Sequence, residues 1–464
     1  MSGPDSFQLE KDSLRALRAA LERLEAGFSA LPSATSPASD SAALERVLLE
    51  VGSRLQDNFP YFHPLYAGQM LKPPHPVARL AYALAMWINP NNHALDGGRA
   101  SSQMEKEAVA EIASMFGWQA HLGHLISGGT MANLEALWVA GQLHPGKCVV
   151  ASEQAHYTHK RISAVLGLNF ESISCGRLGR IDIQALERRL ALGGVGTVVA
   201  TIGTTATGSV DPLAAILDLR NRFDFRLHAD AAYGGYFGLT DSLADPARQT
   251  YNRLGESDSI VVDPHKHGLQ PYGCGCVLFR DAAVGRFYKH DSPYTYFSSG
   301  DLHLGEISLE CSRPGAAAVG LWATQKLLPL VKNGEFARML SQCRAAALAL
   351  YEKLHADPRF LPAFPPELDI VVWIPRAARI GESSALSRQL FAEAAGNGLH
   401  LALAEIPARF FDLDAAGIAR DQETVTSLRS VLMKPEHLDW LDRIWSLLDL
   451  SARSVLPHRT ASAT

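Results

Sequence analysis

The chain has 464 residues, 47% of them hydrophobic and 20% charged, with a formal net charge of −5. That length exceeds a single small core and suits a large domain with smaller pieces attached. The slight acidity offers no basic face for nucleic acid, and no apolar run approaches the ~20 residues of a membrane helix.

The opening stretch, MSGPDSFQLEKDSLRALRAALERLEAG, lacks the basic-then-apolar order of a secretory signal and predicts an amphipathic helix. Residues 28–41, FSALPSATSPASDS, read as a linker to a second helix, AALERVLLEVGSRL. Strand-like and helix-like segments then alternate. HLGHLIS, CVVAS, VGTVVATIG, FRLHAD, SIVVDP and CGCVLF predict strands; MANLEALWVAGQL, HKRISAVLGL, DIQALERRLAL and DPLAAILDLRNRF predict helices. This alternation implies an α/β domain whose mostly parallel sheet is covered on both faces. In such sheets ligands sit at the carboxyl ends of the strands, where Ser127, Thr205, Asp230 and Lys266 fall. After about residue 330 a long helix, FARMLSQCRAAALALYEKLH, leads through ELDIVVWIP, LHLALAEIP and VTSLRSVLM to a final helix, EHLDWLDRIWSLLDL. This predicts a small α+β domain, with the tail SARSVLPHRTASAT disordered. Six cysteines without a C-x-x-C pair favour a reducing, cytoplasmic setting, and Cys274 and Cys276 fit as small core residues of a strand.

The stretch VVDPHKHG, residues 261–268, sets Lys266 between two histidines. Read as extended chain, it sends His265 and His267 to one side and the lysine to the other. A zinc site needs three or four ligands. Neither the His121/His124 nor the His156/His159 pair has a cysteine at a zinc spacing, so no metal is expected. LHADAAYGGYF ends a strand in Asp230, and the small residues after it leave room for a flat ligand. SGGTMAN, residues 127–133, is a small-residue turn opening a helix, where free N–H groups and the helix dipole suit a phosphate. It lacks the G-K-[ST] of a Walker loop, and GGVGTV at 193–198 precedes a strand rather than following one. A phosphate cradle, a strand-end carboxylate and a later strand-end lysine fit pyridoxal 5'-phosphate (PLP). That cofactor needs a lysine for covalent attachment, an acid at its ring nitrogen and a phosphate nest. Aminotransferases, lyases and decarboxylases share these parts.

The combination HPLYAGQM (63–70), NPNNHALDGGRASSQMEKEA (89–108), SGGTMANLEAL (127–137), SEQAHYTHKR (152–161), ATIGTTATGSVDPL (200–213), HADAAYGG (228–235), VVDPHKHG and ECSRPGAAAVGLW (310–322) resembles the group II PLP-dependent amino-acid decarboxylases of fold type I. With VTSLRSVLM, the resemblance spans about residues 60–435, and the 89–108 and 310–322 segments are similar to the bacterial tyrosine or aromatic L-amino-acid decarboxylase branch. It implies an N-terminal helical segment for dimerisation (1–66), a large PLP-binding domain (67–330) and a small C-terminal domain (331–464). It implies that Lys266 holds the cofactor, that His265 and Gly128, Gly129 and Thr130 bind its phosphate, and that Asp230 pairs with the pyridine nitrogen. Ala232 would lie under the ring and His156 would stack on its other face, near the substrate carboxylate. Thr205 and Asp211 would support Asp230. Tyr296 on the segment KHDSPYTYFSSGDLH is the implied proton donor, with Tyr294 and Tyr272 as alternatives; Tyr272 would lie near the substrate. Asn91, Asn92 and His93 would line the pocket from the partner subunit of a homodimer.

Two departures stand out. His267 replaces the Trp or Met that follows the lysine in the family, which bears on the entrance to the site. Asp263 stands where animal relatives carry Asn. The implied reaction is decarboxylation of an aromatic amino acid such as tyrosine. Aspartate or glutamate is the alternative substrate. Aldehyde-forming oxidative decarboxylation, transamination, a sphingosine-phosphate-type lyase and a PLP-binding pseudoenzyme are the alternative activities.

Overall fold

The computed structural model describes residues 11–32, 40–289 and 304–456. Seven strands form the larger sheet: β1 (Leu122–Ile126), β2 (Cys148–Ser152), β3 (Phe170–Ile173), β4 (Val195–Thr201), β5 (Arg226–Asp230), β6 (Ser259–Val262) and β7 (Gly275–Phe279). Their order is β1-β7-β6-β5-β4-β2-β3. β7 runs antiparallel to both neighbours, and all the other pairs are parallel. Every residue of β2, β4, β5, β6 and β7 is buried, as expected when helices cover both faces. β3 went unread in the sequence for a physical reason: it lies at the sheet edge and buries only Ile173 of its four residues.

Four further strands, β8 (Phe360–Pro362), β9 (Ile370–Pro375), β10 (Ala402–Pro407) and β11 (Thr424–Val431), form a separate antiparallel sheet in the order β10-β11-β9-β8. The two sheets share one apolar core, in which Ile202 and Phe237 meet Leu368, Ile370 and Met433. The segment 63–70 joins the smaller sheet: Ala67 N–H donates to His400 O (2.8 Å) and Val431 N–H to Ala67 O (2.8 Å). The last helix runs His437–Val455. The start of the expected disordered tail therefore belongs to it, because Ser451 and Ala452 continue its buried face; residues 457–464 lie outside the described residues.

The N-terminal helices are Lys11–Ala26 and Ser41–Leu55. Asp40 caps the second by accepting from Ala42 and Ala43 N–H. That helix buries none of its residues, though Leu44, Val47, Leu48, Leu49, Val51 and Leu55 lie along it. Among the described residues no helix is long and apolar enough to cross a membrane.

Candidate active site

The ends of β4, β5 and β6 and the start of the helix Gly129–Leu143 enclose a cavity of about 310 Å³. Gly128, Gly129, Thr130, His156, Thr205, Asp230, Ala232, His265 and Lys266 all line it. Residues far apart in sequence thus meet where parallel strands end, the position at which such sheets bind ligands.

Asp230 closes β5 and is 5% exposed. His159 Nε2 lies 2.8 Å from its Oδ2, and Asn133 Nδ2 donates to the same oxygen at 3.3 Å. Oδ1 accepts from Ala232 N–H at 3.2 Å and keeps a free lone pair toward the cavity. Behind Asn133, its Oδ1 pairs with His228 Nε2 (2.8 Å), and His228 Nδ1 pairs with Ser259 Oγ (2.9 Å). Burial pushes His228 down to about 3, so this imidazole is neutral. Its Nε2–H then donates to the Asn133 carbonyl, which turns the Asn133 amide nitrogen onto Asp230. Burial alone would raise the Asp230 carboxyl. The hydrogen bond and charge of His159, with Lys266 nearby, outweigh burial and hold it well below the usual carboxylate range.

The turn before the helix Gly129–Leu143 is tight. A Cβ on Gly128 would sit 3.1 Å from His265 Cε1, one on Gly129 2.7 Å from Asp263 Oδ2, and one on Gly275 2.6 Å from Gly128 Cα. Glycine is therefore needed for the backbone to approach so closely. The first N–H groups of a helix have no intrahelical partner, and no side chain caps this one. His265 Nδ1 donates to Cys274 O (2.8 Å), and its Nε2 lies 3.6 Å from Asp263 Oδ2; Nε2 donates to an oxygen anion only when the ring is protonated, which burial opposes. Bare amides, an imidazole and a space that any Cβ would fill fit a phosphate.

Lys266 Nζ lies 3.0 Å from Asp263 Oδ2. His156 is kept neutral chiefly by burial, which lowers its pKa against the pull of Asp230. Its Nδ1 faces Thr158 Oγ1 (2.8 Å) and Thr158 N–H (3.4 Å), leaving Nε2 to carry the proton. The residues present thus fit PLP: a lysine, a charged carboxylate with a free lone pair, and a phosphate nest in one cavity.

Several expectations are corrected. The HKH stretch is not extended: Pro264, which has no N–H, ends β6, and residues 264–268 turn. Gly268 is packed so tightly that a Cβ would meet Pro264 Cα at 2.5 Å. His265 and His267 therefore diverge. His267 is 1% exposed, with Nε2 3.2 Å from Asp369 Oδ2 and its ring set between Tyr233 and Phe237. It joins the lysine turn to the smaller sheet, and it does not stand at the entrance. Asp211 stands one step behind Asp230: it accepts from Ile181 and Thr201 N–H, Thr201 pairs with Asp230 across β4 and β5, and burial pushes the Asp211 carboxyl up to about 7. Thr205 lines the cavity, but the side chains that hold Asp230 are those of His159 and Asn133.

Asn92 is fully buried, and its side chain donates to Glu105 and accepts from Ser101 within its own chain. Asn91 is tied to Ser312, Arg313 and the His93 amide. His93 is half-buried, and its carbonyl holds Gly305 N–H. Tyr272 is half exposed, its ring lies 4.6 Å from that of His265, and its hydroxyl donates to Met70 O. It is therefore bonded away from the cavity. Tyr294 and Tyr296 lie outside the described residues.

His159 and Asn133 were missed. Both were visible in principle: His159 lies three residues after His156, and Asn133 lies one turn into the phosphate-side helix. Among the described residues no group of three His, Cys, Asp or Glu side chains could hold a metal. His124 is spent on Glu135, as His159 is on Asp230.

A mostly parallel sheet with this lysine, carboxylate and phosphate nest defines a fold type I PLP enzyme. Residues 60–374 match the family model described as the pyridoxal-dependent decarboxylase conserved domain, and the chain belongs to that family, a PLP-dependent amino-acid decarboxylase. It is 28% identical to the L-tyrosine decarboxylase of Enterococcus faecium over 442 residues, covering 71% of each chain. It is 29% identical to the L-aspartate decarboxylase of Thermococcus kodakarensis over 292 residues, covering 62% of this chain and 74% of the relative. Among solved structures, Oryza sativa TDC crystallised with PLP and tryptamine superposes with a TM-score of 0.77 at 19% identity, covering 97% of this chain and 99% of that one. At that identity the likeness speaks for the fold.

Proposed function

We propose that this protein decarboxylates an aromatic L-amino acid, with tyrosine the first substrate to test. The observation that carries this is the lining of the cavity: besides the groups matched to the cofactor, it offers the neutral hydroxyls of Ser127, Thr158 and Thr205, and among the described residues no arginine lines it. A phenol can pair with such groups without burying a charge, whereas a second carboxylate would need a cation. The similarity to an L-tyrosine decarboxylase supports this reading. The similarity to an L-aspartate decarboxylase makes aspartate the alternative.

In this reading Lys266 carries the cofactor, the helix start at Gly128–Thr130 and His265 hold its phosphate, and Asp230 faces its ring nitrogen. Bound there, PLP supplies an electron sink for the bond being broken. Asp230 keeps a proton on the ring nitrogen because His159 and Asn133 fix its charge and direction. His156 would present Nε2–H to the substrate carboxylate, which departs as neutral carbon dioxide while the electron pair of the broken bond stays with the electron sink. Carbon dioxide release should be measured with tyrosine, phenylalanine, tryptophan, aspartate and glutamate. Turnover of tyrosine at least ten times faster than aspartate is expected. Aspartate as the better substrate would overturn the aromatic assignment.

We also propose a homodimer built on the helices Lys11–Ala26 and Ser41–Leu55. The second carries an exposed apolar row, which marks an interaction surface. Light scattering should give twice the 50.2 kDa chain mass, and Leu48→Glu with Val51→Glu should lower it. A fully active monomer would refute the proposal.

A further inference from the structure

We propose that a second cavity, at the seam between the two sheets, binds a small organic monocarboxylate with a compact apolar body. This cleft, of about 360 Å³, lies between residues 178–180 and 244–247 on one side and 344–348 and 364–367 on the other. Its size falls within the ~300–1,000 Å³ of small-molecule sites. Leu178, Pro246, Leu348, Phe364 and Pro366 give it apolar walls, and two arginines stand among them.

The lining carries two arginines and two carboxylates, but both carboxylates are already paired. Arg180 forks onto Glu367 through Nε (3.0 Å) and Nη2 (2.5 Å), which uses the one carboxylate between the two guanidinium groups. Asp245, also on the wall, is paired with Arg248. Arg344 is 7% exposed and donates from Nε to Glu367 O and from Nη1 to Ser242 O, both neutral carbonyls. Its Nη2 makes no hydrogen bond among the described residues. A nearly buried guanidinium with no carboxylate of its own carries a desolvation cost that an anion would offset. Nη2 is the donor left for it, and the walls suit an aryl or short alkyl body. With both carboxylates of the lining already paired, the cleft offers no free anion to the amine that the catalytic reaction makes, so the ligand is an acid and not the product.

The cleft is linked to the catalytic cavity. Glu367 Oε2 also accepts from Val210 N–H (2.9 Å), and the next residue, Asp211, accepts from Thr201 N–H (2.8 Å). Thr201 lines the catalytic cavity. An anion drawing Arg180 or Arg344 away from their present partners acts on that path, so occupancy should alter turnover as well as stability.

The test is calorimetric titration of the holoenzyme with phenylacetate, with phenethylamine as the cationic control. Phenylacetate should bind, shift turnover and remain bound at saturating substrate, whereas phenethylamine should not bind at this cleft. Arg344→Gln and Leu348→Trp, which fills the cleft without touching an ion pair, should each weaken phenylacetate binding at least tenfold. Leu348→Trp should leave carbon dioxide release without the probe within about twofold, whereas Arg344→Gln, which breaks the contacts an anion would loosen, should shift it. If Arg344→Gln does not fold, Leu348→Trp decides alone. Binding unchanged in Leu348→Trp, or lost in proportion to added substrate in the wild type, would overturn the proposal. Either result would leave the decarboxylase reading intact, because that is judged by carbon dioxide release alone.

Discussion

Lys266→Ala is expected to abolish amine production, by more than roughly 10⁴-fold, the scale on which loss of a covalent catalytic group is felt. Borohydride should fix the cofactor on Lys266 of the wild type and on no residue of the variant. Loss of turnover alone would be ambiguous, because Lys266 also pairs with Asp263. Asp263 is 2% exposed, and its Oδ1 has no partner. Removing the ammonium leaves a buried carboxylate without compensation, a change that commonly costs about 3–5 kcal/mol. Two companion variants separate chemistry from stability. Lys266→Arg keeps a cation beside Asp263 but has no amine to bond the cofactor. Lys266→Ala with Asp263→Asn removes both charges. Each should melt nearer the wild type than Lys266→Ala does, and neither should turn over. Recovery of activity in either variant, or a borohydride label on another residue, would remove Lys266 from its assigned place.

The parts of the fold readable in the sequence were those whose physics is local. β4 and β6 are apolar and β-branched because helices cover both faces, and the run of glycines before Met131 is needed where a Cβ would strike His265 or Asp263. Asp230 and Lys266 could be placed because the first closes such a strand and the second lies in the turn that follows one. What escaped was set by long-range packing. Nothing in the letters of HKH says that Pro264 starts a turn and sends His267 toward Asp369, which lies 102 residues further along the chain, beside β9. The resemblance placed Asn92 at the pocket, and its side chain meets Glu105 and Ser101 in the interior of its own chain. His159 was weighed only as half of a metal pair. Its partner, Asp230, lies 71 positions on, and only the parallel sheet brings the two within 2.8 Å.

The network around Asp230 leads to the second large effect. Asp230→Asn keeps the shape and one acceptor but removes the charge that faces the cofactor's ring nitrogen. Preorganised charge of this kind is worth roughly 10²–10³ in kcat, so amine formation should fall by about that factor while the apparent KM changes little. Cofactor should still bind, because the phosphate nest and Lys266 are untouched. The same substitution has a stability signature in the cofactor-free protein. Folding holds this carboxyl below its ordinary range, with burial opposing and His159 prevailing. Its ionised form therefore contributes stability above the unfolded carboxyl's pKa of about 3.9, and that contribution is lost as pH falls through the folded value. Wild type should accordingly melt above Asp230→Asn at pH 7, and the gap should narrow as the solution is made strongly acidic. His159→Gln, which can still donate to Oδ2 but cannot carry a charge, should retain more activity than Asp230→Asn. If Asp230→Asn keeps wild-type kcat, or if the melting gap widens in acid, the carboxylate does not act as the fixed charge opposite the ring nitrogen. The buried chain from Ser259 through His228 and Asn133 would then serve the fold alone.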